Sequence, residues 1–300
     1  MSNNFISAIA ILIGTIVGVG IFALPYAVTQ VGFTIGFLYL VGLTIIVTFL
    51  HLAFGEIILR TSGDHRLPGY TRIYLGEIME KLVNTSTIIG ISLILLIYIM
   101  VGGEFLSKVI PNNLNISYFH LLFWLIMSLF IVVGLKTIKV AEFLMTLFLI
   151  IIVALALGLN LNQINLGNLT SFNIKNIFFP YGIILFALLG TSVIGQVTKI
   201  LKNEKPKIKS AIVWGTAISA IVYLIFIITM VGVMGSNSPK MAMTAFQNLF
   251  PSSLFFLIAI FGTFLIATSY LTLGFYFKET LLYDFKLNRF LVLGIVTLLF

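Results

Sequence analysis

The sequence has no cysteine among its 300 residues and very little charge. Without cysteine there can be no disulfide, no thiolate metal ligand and no cysteine nucleophile. Charged residues make up 9% of the chain, whereas a soluble domain carries about 25%. Hydrophobic residues make up 60%, and the mean hydropathy is +1.17. There is too little polar surface to face water, so the sequence predicts an integral membrane protein in a lipid bilayer.

Acidic residues and histidines are also scarce, with nine Asp and Glu and three His in the chain. No pair of them has catalytic spacing, and no cluster resembles a metal motif, so we do not expect an enzyme. The net charge of +8 lies in short loops between apolar runs. That placement is typical of membrane topology signals and argues against a nucleic-acid partner.

Nine apolar runs are long enough to predict transmembrane helices, and together they predict an all-α membrane fold. The first is expected to be a retained span, because the N-terminus lacks a basic region and a small-residue cleavage site and the apolar run is long. The ninth is still apolar at residue 300, so we expect a fold truncated in span nine, either because the chain is a fragment or because the last helix is incomplete. Two amphipathic stretches, 69–83 and 239–251, predict interfacial helices, the second alternatively a lid. The predicted spans are 6–29, 35–59, 86–107, 118–135, 140–158, 178–198, 210–234, 252–275 and 289–300.

The distribution of Lys and Arg predicts the orientation of the chain. Of the 17 basic residues, 14 follow the even-numbered spans and three follow spans three, five and seven. Because cytoplasmic loops carry the excess of positive charge, the N-terminus and the even-numbered loops are expected to be cytoplasmic. The location predicted is a cell membrane, crossed several times.

The first span contains an unusual set of helix-weakening residues in the stretch "GTIVGVGIFALP" (14–25). Gly14 and Gly18 have the spacing of a close helix-packing motif, which is the simpler interpretation. Gly20 follows at i+2, off that packing face, and Pro25 removes a backbone donor shortly afterwards. This combination predicts that the helix is interrupted near its middle.

A related interruption is predicted in the sixth span, where Gly190, Thr191 and Ser192 lie midway. Backbone can leave the helix at membrane depth only where it is buried or lines a water-filled cavity. Free amides at a half-helix start attract a carboxylate, and free carbonyls at a half-helix end attract an ammonium or a metal cation. Interruptions in spans one and six therefore predict a secondary transporter for a zwitterion of amino-acid size, built as an inverted repeat.

Three segments resemble the amino acid–polyamine–organocation superfamily of transporters, and within it the amino acid/auxin permease and aromatic amino acid permease groups. They are "IGTIVGVGIFALPYAVTQVG" (13–32), "YGIILFALLGTSVIGQV" (181–197) and "TSYLTLGFYFKETLLYDFKLNR" (268–289). The resemblance implies a single domain over 1–300 with the leucine-transporter-type 5+5 inverted repeat and discontinuous spans one and six. The repeats would cover about 5–158 and about 178–300, the second one incomplete. It also implies amino-acid uptake by H⁺ or Na⁺ symport through alternating access.

The same resemblance implies a substrate site at the two interruptions. Tyr98 in span three would reach the substrate carboxylate with its hydroxyl, and the alternative is a packing role. The substrate is expected to be a neutral or aromatic amino acid. The remaining residues implied as substrate-binding are Thr15, Gly18, Val19, Gly20, Phe186, Leu189, Gly190, Thr191 and Ser192.

Two sites compete for the coupling ion, and no other cofactor is expected. In sodium-coupled members of this fold, adjacent hydroxyls in span eight join carbonyls of spans one and eight around Na⁺. Here these would be Thr268 and Ser269, with the carbonyls of Gly14, Val17 and Leu265. The alternative is that the two hydroxyls merely bond the carbonyl one turn back.

A titrating group is the other candidate for coupling. Glu104 lies towards the end of span three and His51 lies inside span two. Ionisable residues inside a membrane are costly and tend to be functional. The alternatives are a Glu104 in an aqueous vestibule and a His51 that is simply hydrogen-bonded.

For the protein as a whole, the alternative to transport is an amino-acid sensor on the same fold, like the spore germinant receptor subunits of this superfamily.

Overall fold

The computed structural model describes residues 3–63, 65–110, 114–134, 138–240, 242–285 and 287–298. Over these ranges the regular secondary structure is helical, and no strand occurs. A 3₁₀ stretch, Val19–Ala23, separates the first two α-helices, and a π-helical stretch, Thr280–Asp284, follows the eleventh. The α-helices are α1 Asn3–Ile16, α2 Leu24–Thr29, α3 Phe33–Arg60, α4 Leu67–Val109, α5 Ile116–Val133, α6 Ile138–Asn160, α7 Phe179–Leu188, α8 Thr191–Ile200, α9 Pro206–Met234, α10 Ala242–Leu249, α11 Ser252–Glu279 and α12 Arg289–Leu298.

The long apolar helices confirm a protein that crosses the membrane several times. In the described ranges, seven helical segments are long and apolar enough to span a membrane. The bent pair Asn3–Ile16 and Val19–Thr29, whose axes differ by 44°, makes an eighth when it is counted as one span. The ninth predicted span, 289–300, corresponds to α12, which has ten residues in the described part of the chain.

One boundary differs from the sequence prediction. The predicted interfacial helix 69–83 and the third span, 86–107, form one element, α4, of 43 residues. Its only non-helical residue is Gly76, with φ +82° and ψ −179°. The chain therefore turns inside the predicted interfacial helix, at the residue that tolerates a positive φ. The polar residues 84–87 continue the helix because none of them prevents its backbone hydrogen bonds.

The described residues form two compact units. The first unit comprises the residues up to 55 together with 142–261, and the second comprises 56–141 together with 262–298. These units are not the two predicted sequence repeats, whose boundaries remain a prediction. In the first unit, α1 packs on α8 and α9, and α7 packs on the 3₁₀ stretch and α2.

Small residues let the helices of the first unit approach closely. Leu12 of α1 is fully buried. A Cβ atom at Gly190 would lie 2.9 Å from Leu12 Cδ1, and one at Gly215 would lie 2.7 Å from Leu12 Cδ2. Leu12 therefore fills a notch that two glycines leave open, and this contact seats α1 against α8 and α9.

The second unit is built on the pairing of α4 with α5. A Cβ atom at Gly102 would lie 2.5 Å from the ring of Phe123, and Gly262 faces Phe105 in the same way, at 2.1 Å. Phe123 also meets Tyr270 edge to face, with ring centroids 6.1 Å apart. The ammonium of Lys278 donates to the carbonyl of Ile131 at 3.0 Å, near the end of α5.

Candidate functional site

The first span is interrupted at Val17 and Gly18, as the glycine pattern predicts. The amide of Val17 donates to the Ile13 carbonyl at 2.7 Å, and the amide of Gly18 donates to the Ile16 carbonyl at 2.8 Å. Gly18 has φ −106° and ψ −144°, which is not helical. The 3₁₀ stretch then begins at Val19, and Pro25 lies in the first turn of α2, where a proline needs no amide partner.

The sixth span is interrupted at Leu189 and Gly190, also where the sequence predicts it. Leu189 is extended, with φ −69° and ψ 123°. Gly190 has φ −134° and ψ 18°, and α8 begins at Thr191. Two residues of non-helical backbone therefore separate α7 from α8 at the middle of a span, and the first unit contains both interruptions.

Tyr223 of α9 connects the two interruptions. Its hydroxyl contacts the Ile16 carbonyl at 2.5 Å and the Ala187 carbonyl at 2.7 Å. These carbonyls lie in the last turns of α1 and α7, where a helix leaves its carbonyls without internal partners. Tyr223 is fully buried, so one hydroxyl proton is shared between the open ends of both half-helices.

His51 of α3 is hydrogen-bonded to the backbone of the second interruption. The amide of Gly190 donates to His51 Nε2 at 3.1 Å, and His51 Nδ1 lies 3.2 Å from Thr216 Oγ1. Thr216 itself donates to the Ile212 carbonyl at 3.0 Å. His51 and Thr216 are fully buried, and both ring nitrogens of His51 have a hydrogen-bonding partner.

The polar face of α9 is a part of the site that was not predicted from the sequence. Thr216, Ser219 and Tyr223 are all fully buried, and they follow one another at i, i+3 and i+7 along one face of the helix. Two of the three contact the interruptions or the residue that supports them. The signal that could have found them is this helical spacing of polar residues inside an apolar span.

Gly20 also differs from its sequence interpretation. The i+2 spacing from Gly18 predicts that Gly20 lies off the packing face. In the structure, however, a Cβ atom at Gly20 would lie 2.8 Å from Ala187 Cα. The 3₁₀ geometry turns Gly20 towards α7, so the glycine permits a close backbone approach between the two interrupted spans. A Cβ atom at Gly190 would similarly lie 2.8 Å from Ile16 Cγ1.

The open helix ends give the site both signs of partial charge. The first amides of a helix lack partners within it, and here they belong to Val19 and Gly20 and to Thr191 and Ser192. The last carbonyls of α1 and α7 carry the opposite partial charge. Such an arrangement is suited to binding a small molecule that carries a carboxylate and an ammonium group.

The structure brings the predicted residues of spans one and six together in the first unit. Thr15 is half-buried, and its hydroxyl donates to the Ile11 carbonyl at 3.0 Å. Phe186 is half-buried in the last turn of α7, and Leu189 is 41% exposed. Gly14, Val17, Gly18, Val19, Gly20 and Gly190 are buried, and Thr191 and Ser192 are half-buried. Their binding roles remain predictions.

The other predicted site residues belong to the second unit. Tyr98 of α4 is buried and Glu104 of the same helix is half-buried. Leu265 of α11 is buried, and Thr268 Oγ1 donates to its carbonyl at 2.9 Å. That bond is the alternative expected for a hydroxyl in a membrane helix. Ser269 is half-buried. The substrate role of Tyr98 and the ion-coupling roles of Glu104, Leu265, Thr268 and Ser269 stay predictions.

The helical spans and their two interruptions define a class of membrane-transporter fold. Mhp1, a nucleobase-cation-symport-1 family transporter whose structure is closed with bromovinylhydantoin, has a similar fold with a TM-score of 0.74. The match is 12% identical and covers 97% of this chain and 69% of Mhp1. MhsT in complex with L-phenylalanine matches with a TM-score of 0.67 and 16% identity, over 100% of this chain and 78% of MhsT. The predicted leucine-transporter-type fold is thereby confirmed.

Sequence comparison assigns the chain to a particular family within this fold. The profile of the tryptophan/tyrosine permease family matches residues 1–300, so the chain belongs to this family. It is also 23% identical over 237 residues to the tyrosine-specific transport system 1 of Haemophilus influenzae. This match covers 78% of the chain and 59% of the relative, so the chain spans about six tenths of that relative's length. A permease family agrees with the expectation that the protein is not an enzyme.

Proposed function

We propose that the protein is a secondary active transporter that takes up aromatic amino acids by cation symport through alternating access. The observation that carries the proposal is that both interrupted spans meet in the first unit through Tyr223. Paired interruptions of this kind mark the substrate site in secondary transporters. The family of the chain supports the same function.

The backbone of the two interruptions supplies the recognition of the amino-acid head group. The amides of Val19 and Gly20 and those of Thr191 and Ser192 begin two helices, whose N-terminal ends favour a carboxylate. The carbonyl ends of α1 and α7 favour the ammonium group. Because backbone groups make these contacts, they serve any amino acid, and the side-chain surroundings select among them.

Aromatic side chains near the interruptions support an aromatic substrate. Phe186 is half-buried one turn before the second interruption. Phe22, in the 3₁₀ stretch after the first interruption, meets Phe246 edge to face with ring centroids 5.9 Å apart. Aromatic rings favour such stacked or edge-to-face partners. A tyrosine transport relative and the phenylalanine complex of MhsT point the same way.

For coupling, sodium at Thr268 and Ser269 and a proton at Glu104 are the competing mechanisms, and sodium is the one we propose. The hydroxyl of Thr268 donates its proton to the Leu265 carbonyl, so its lone pairs remain for a cation. Hydroxyl and carbonyl oxygens are the hard ligands that such a cation takes. A neutral hydroxyl pair also costs less at membrane depth than a carboxylate.

The function is tested with the purified 300-residue chain in liposomes and labelled tryptophan, tyrosine, phenylalanine, leucine and lysine. Uptake is measured under an inward sodium gradient and separately under an inward proton gradient. Sodium-driven uptake of the three aromatic amino acids is the expected result. Uptake driven by protons alone would replace sodium with Glu104 as the coupling site. Saturable binding without uptake or counterflow would contradict transport and favour the sensor.

The double variant Thr268→Ala with Ser269→Ala is expected to lose sodium stimulation of uptake. Removing two hard oxygen ligands should weaken sodium binding by more than about tenfold. The measurement is the initial rate of uptake as a function of sodium concentration. Ser252→Ala with Ser253→Ala is the matched control, because it removes two adjacent exposed hydroxyls from the same helix. Equal sodium activation in both double variants would reject the ion site.

A further inference from the structure

We infer that His51 is a positioning residue that keeps the sixth span interrupted and so presents the amides of Thr191 and Ser192 to the substrate. The effect of His51 on substrate binding rests on the proposed transport function. The hydrogen bonds that carry it are independent of that function. They connect three elements of the first unit, α3, α8 and α9, through the imidazole ring.

The hydrogen-bond chain fixes the form of the imidazole. Thr216 uses its only hydroxyl proton on the Ile212 carbonyl, so Thr216 Oγ1 is an acceptor for His51 Nδ1–H. The amide of Gly190 can only donate, so His51 Nε2 must offer a lone pair. The ring is therefore neutral with its proton on Nδ1, an assignment that follows from the partners on both sides.

The bond to His51 replaces the one that a continuous helix would make. In an uninterrupted helix, the amide of Gly190 would donate to the carbonyl of Phe186. That carbonyl instead accepts from the amide of Leu189 at 3.2 Å. A buried amide at membrane depth requires a partner, and His51 Nε2 provides it. The ring thereby stabilises the amide of the residue that caps α8.

The packing around His51 holds the ring at the required distance. Gly55 lies one turn further along α3, and a Cβ atom there would lie 3.0 Å from Ile212 Cδ1. This close approach seats α3 against α9. A Cβ atom at Gly190 would lie 2.8 Å from Ile16 Cγ1 and 2.9 Å from Leu12 Cδ1, so α8 packs closely on α1 at this residue. His51 is fully buried, and its ring is hydrogen-bonded both to α9 and to the residue that caps α8.

This geometry separates His51 from a proton carrier. The lone pair that would take up a proton is directed at the amide of Gly190. The proton that the ring already holds is directed at Thr216. In this arrangement the imidazole presents neither group to a bound amino acid. Its effect on the substrate passes through the backbone of residues 190–192.

Replacing His51 by Gln or by Asn tests the two hydrogen bonds of the ring separately. The oxygen of His51→Gln lies as many bonds from Cα as Nε2 does, so it can accept from Gly190. The side-chain nitrogen of His51→Asn lies as many bonds from Cα as Nδ1 does, so it can reach Thr216. This side chain is too short to reach Gly190. Both variants are neutral and polar, and they differ in which partner they keep.

The first measurement is hydrogen–deuterium exchange of the peptide that covers Leu189–Val193, made on detergent-purified protein without substrate. We expect exchange at Gly190 to be at least about tenfold faster in His51→Asn, because the amide loses its acceptor. His51→Gln should exchange within about threefold of the wild type. Equal exchange in all three proteins would overturn the inference, whatever the protein transports.

The second measurement is tyrosine binding and uptake by the same three proteins. His51→Asn should weaken binding by about tenfold or more, and His51→Gln should restore it. Equal loss in both variants, with unfolding temperatures below the wild type, would show that His51 is structural only and would overturn the inference. If the wild type neither binds nor transports amino acids, the proposed function fails, while the exchange measurement still decides the role of His51.

Discussion

The Tyr223→Phe variant is expected to bind and take up aromatic amino acids about 10- to 100-fold less well than the wild type. The change removes one hydroxyl that serves the carbonyls of Ile16 and Ala187. Leaving the buried Ala187 carbonyl without this donor costs about 1–3 kcal/mol, while the Ile16 carbonyl keeps the amide of Gly18. Because both carbonyls lie where the interrupted half-helices end, the cost falls on the arrangement of the site itself. Affinity for labelled tyrosine and the initial rate of uptake are the measurements.

The matched control is Tyr181→Phe. Tyr181 lies on α7, the helix that also contains Ala187, but its side chain is 48% exposed. Removing its hydroxyl should leave affinity within about twofold of the wild type, since exposed polar substitutions have small effects. If Tyr223→Phe also retained wild-type affinity, the hydroxyl would not hold the two half-helices together and the site would need another organiser.

The two interruptions could be predicted because their cause is local. Gly18 and Gly190 lie at the middle of apolar runs, where a glycine both weakens the helix and lets neighbouring backbone approach. The same local reasoning placed most span ends near their observed positions. It failed at α4, where the predicted boundary between 69–83 and 86–107 is continuous helix and the backbone departs from helical geometry at Gly76 instead.

The organisers of the site could not be predicted because their partners are remote in sequence. Tyr223 contacts carbonyls 207 and 36 residues away, and His51 contacts an amide 139 residues away. Periodicity indicates which face of α9 is polar, but it does not say which backbone groups that face will meet. Gly20 shows the same limit, since the 3₁₀ turn that directs it at Ala187 cannot be derived from residue spacing.

Gly20→Leu is expected to abolish binding and uptake, which corresponds to a loss of more than about a hundredfold. The first atom of the new side chain would lie 2.8 Å from Ala187 Cα and 2.9 Å from Ala187 Cβ. Backbone cannot yield as a flexible side chain can, so the 3₁₀ stretch and α7 must separate. Their separation moves the amides after Gly18 away from those after Gly190, and the two halves of the site no longer face one substrate.

Two comparisons make this prediction specific. Gly42→Leu adds the same side chain to α3 of the same unit, where a Cβ atom meets nothing within 4 Å, and it should keep wild-type uptake. Gly20→Ala should be impaired less than Gly20→Leu, and adding Ala187→Gly should restore part of its loss because one of the two closest atoms is removed. If Ala187→Gly restored nothing, the side chain at Gly20 would act by filling the carboxylate position and not by parting the helices. Wild-type affinity in Gly20→Leu itself would reject both explanations, because each requires that no side chain fit at this position.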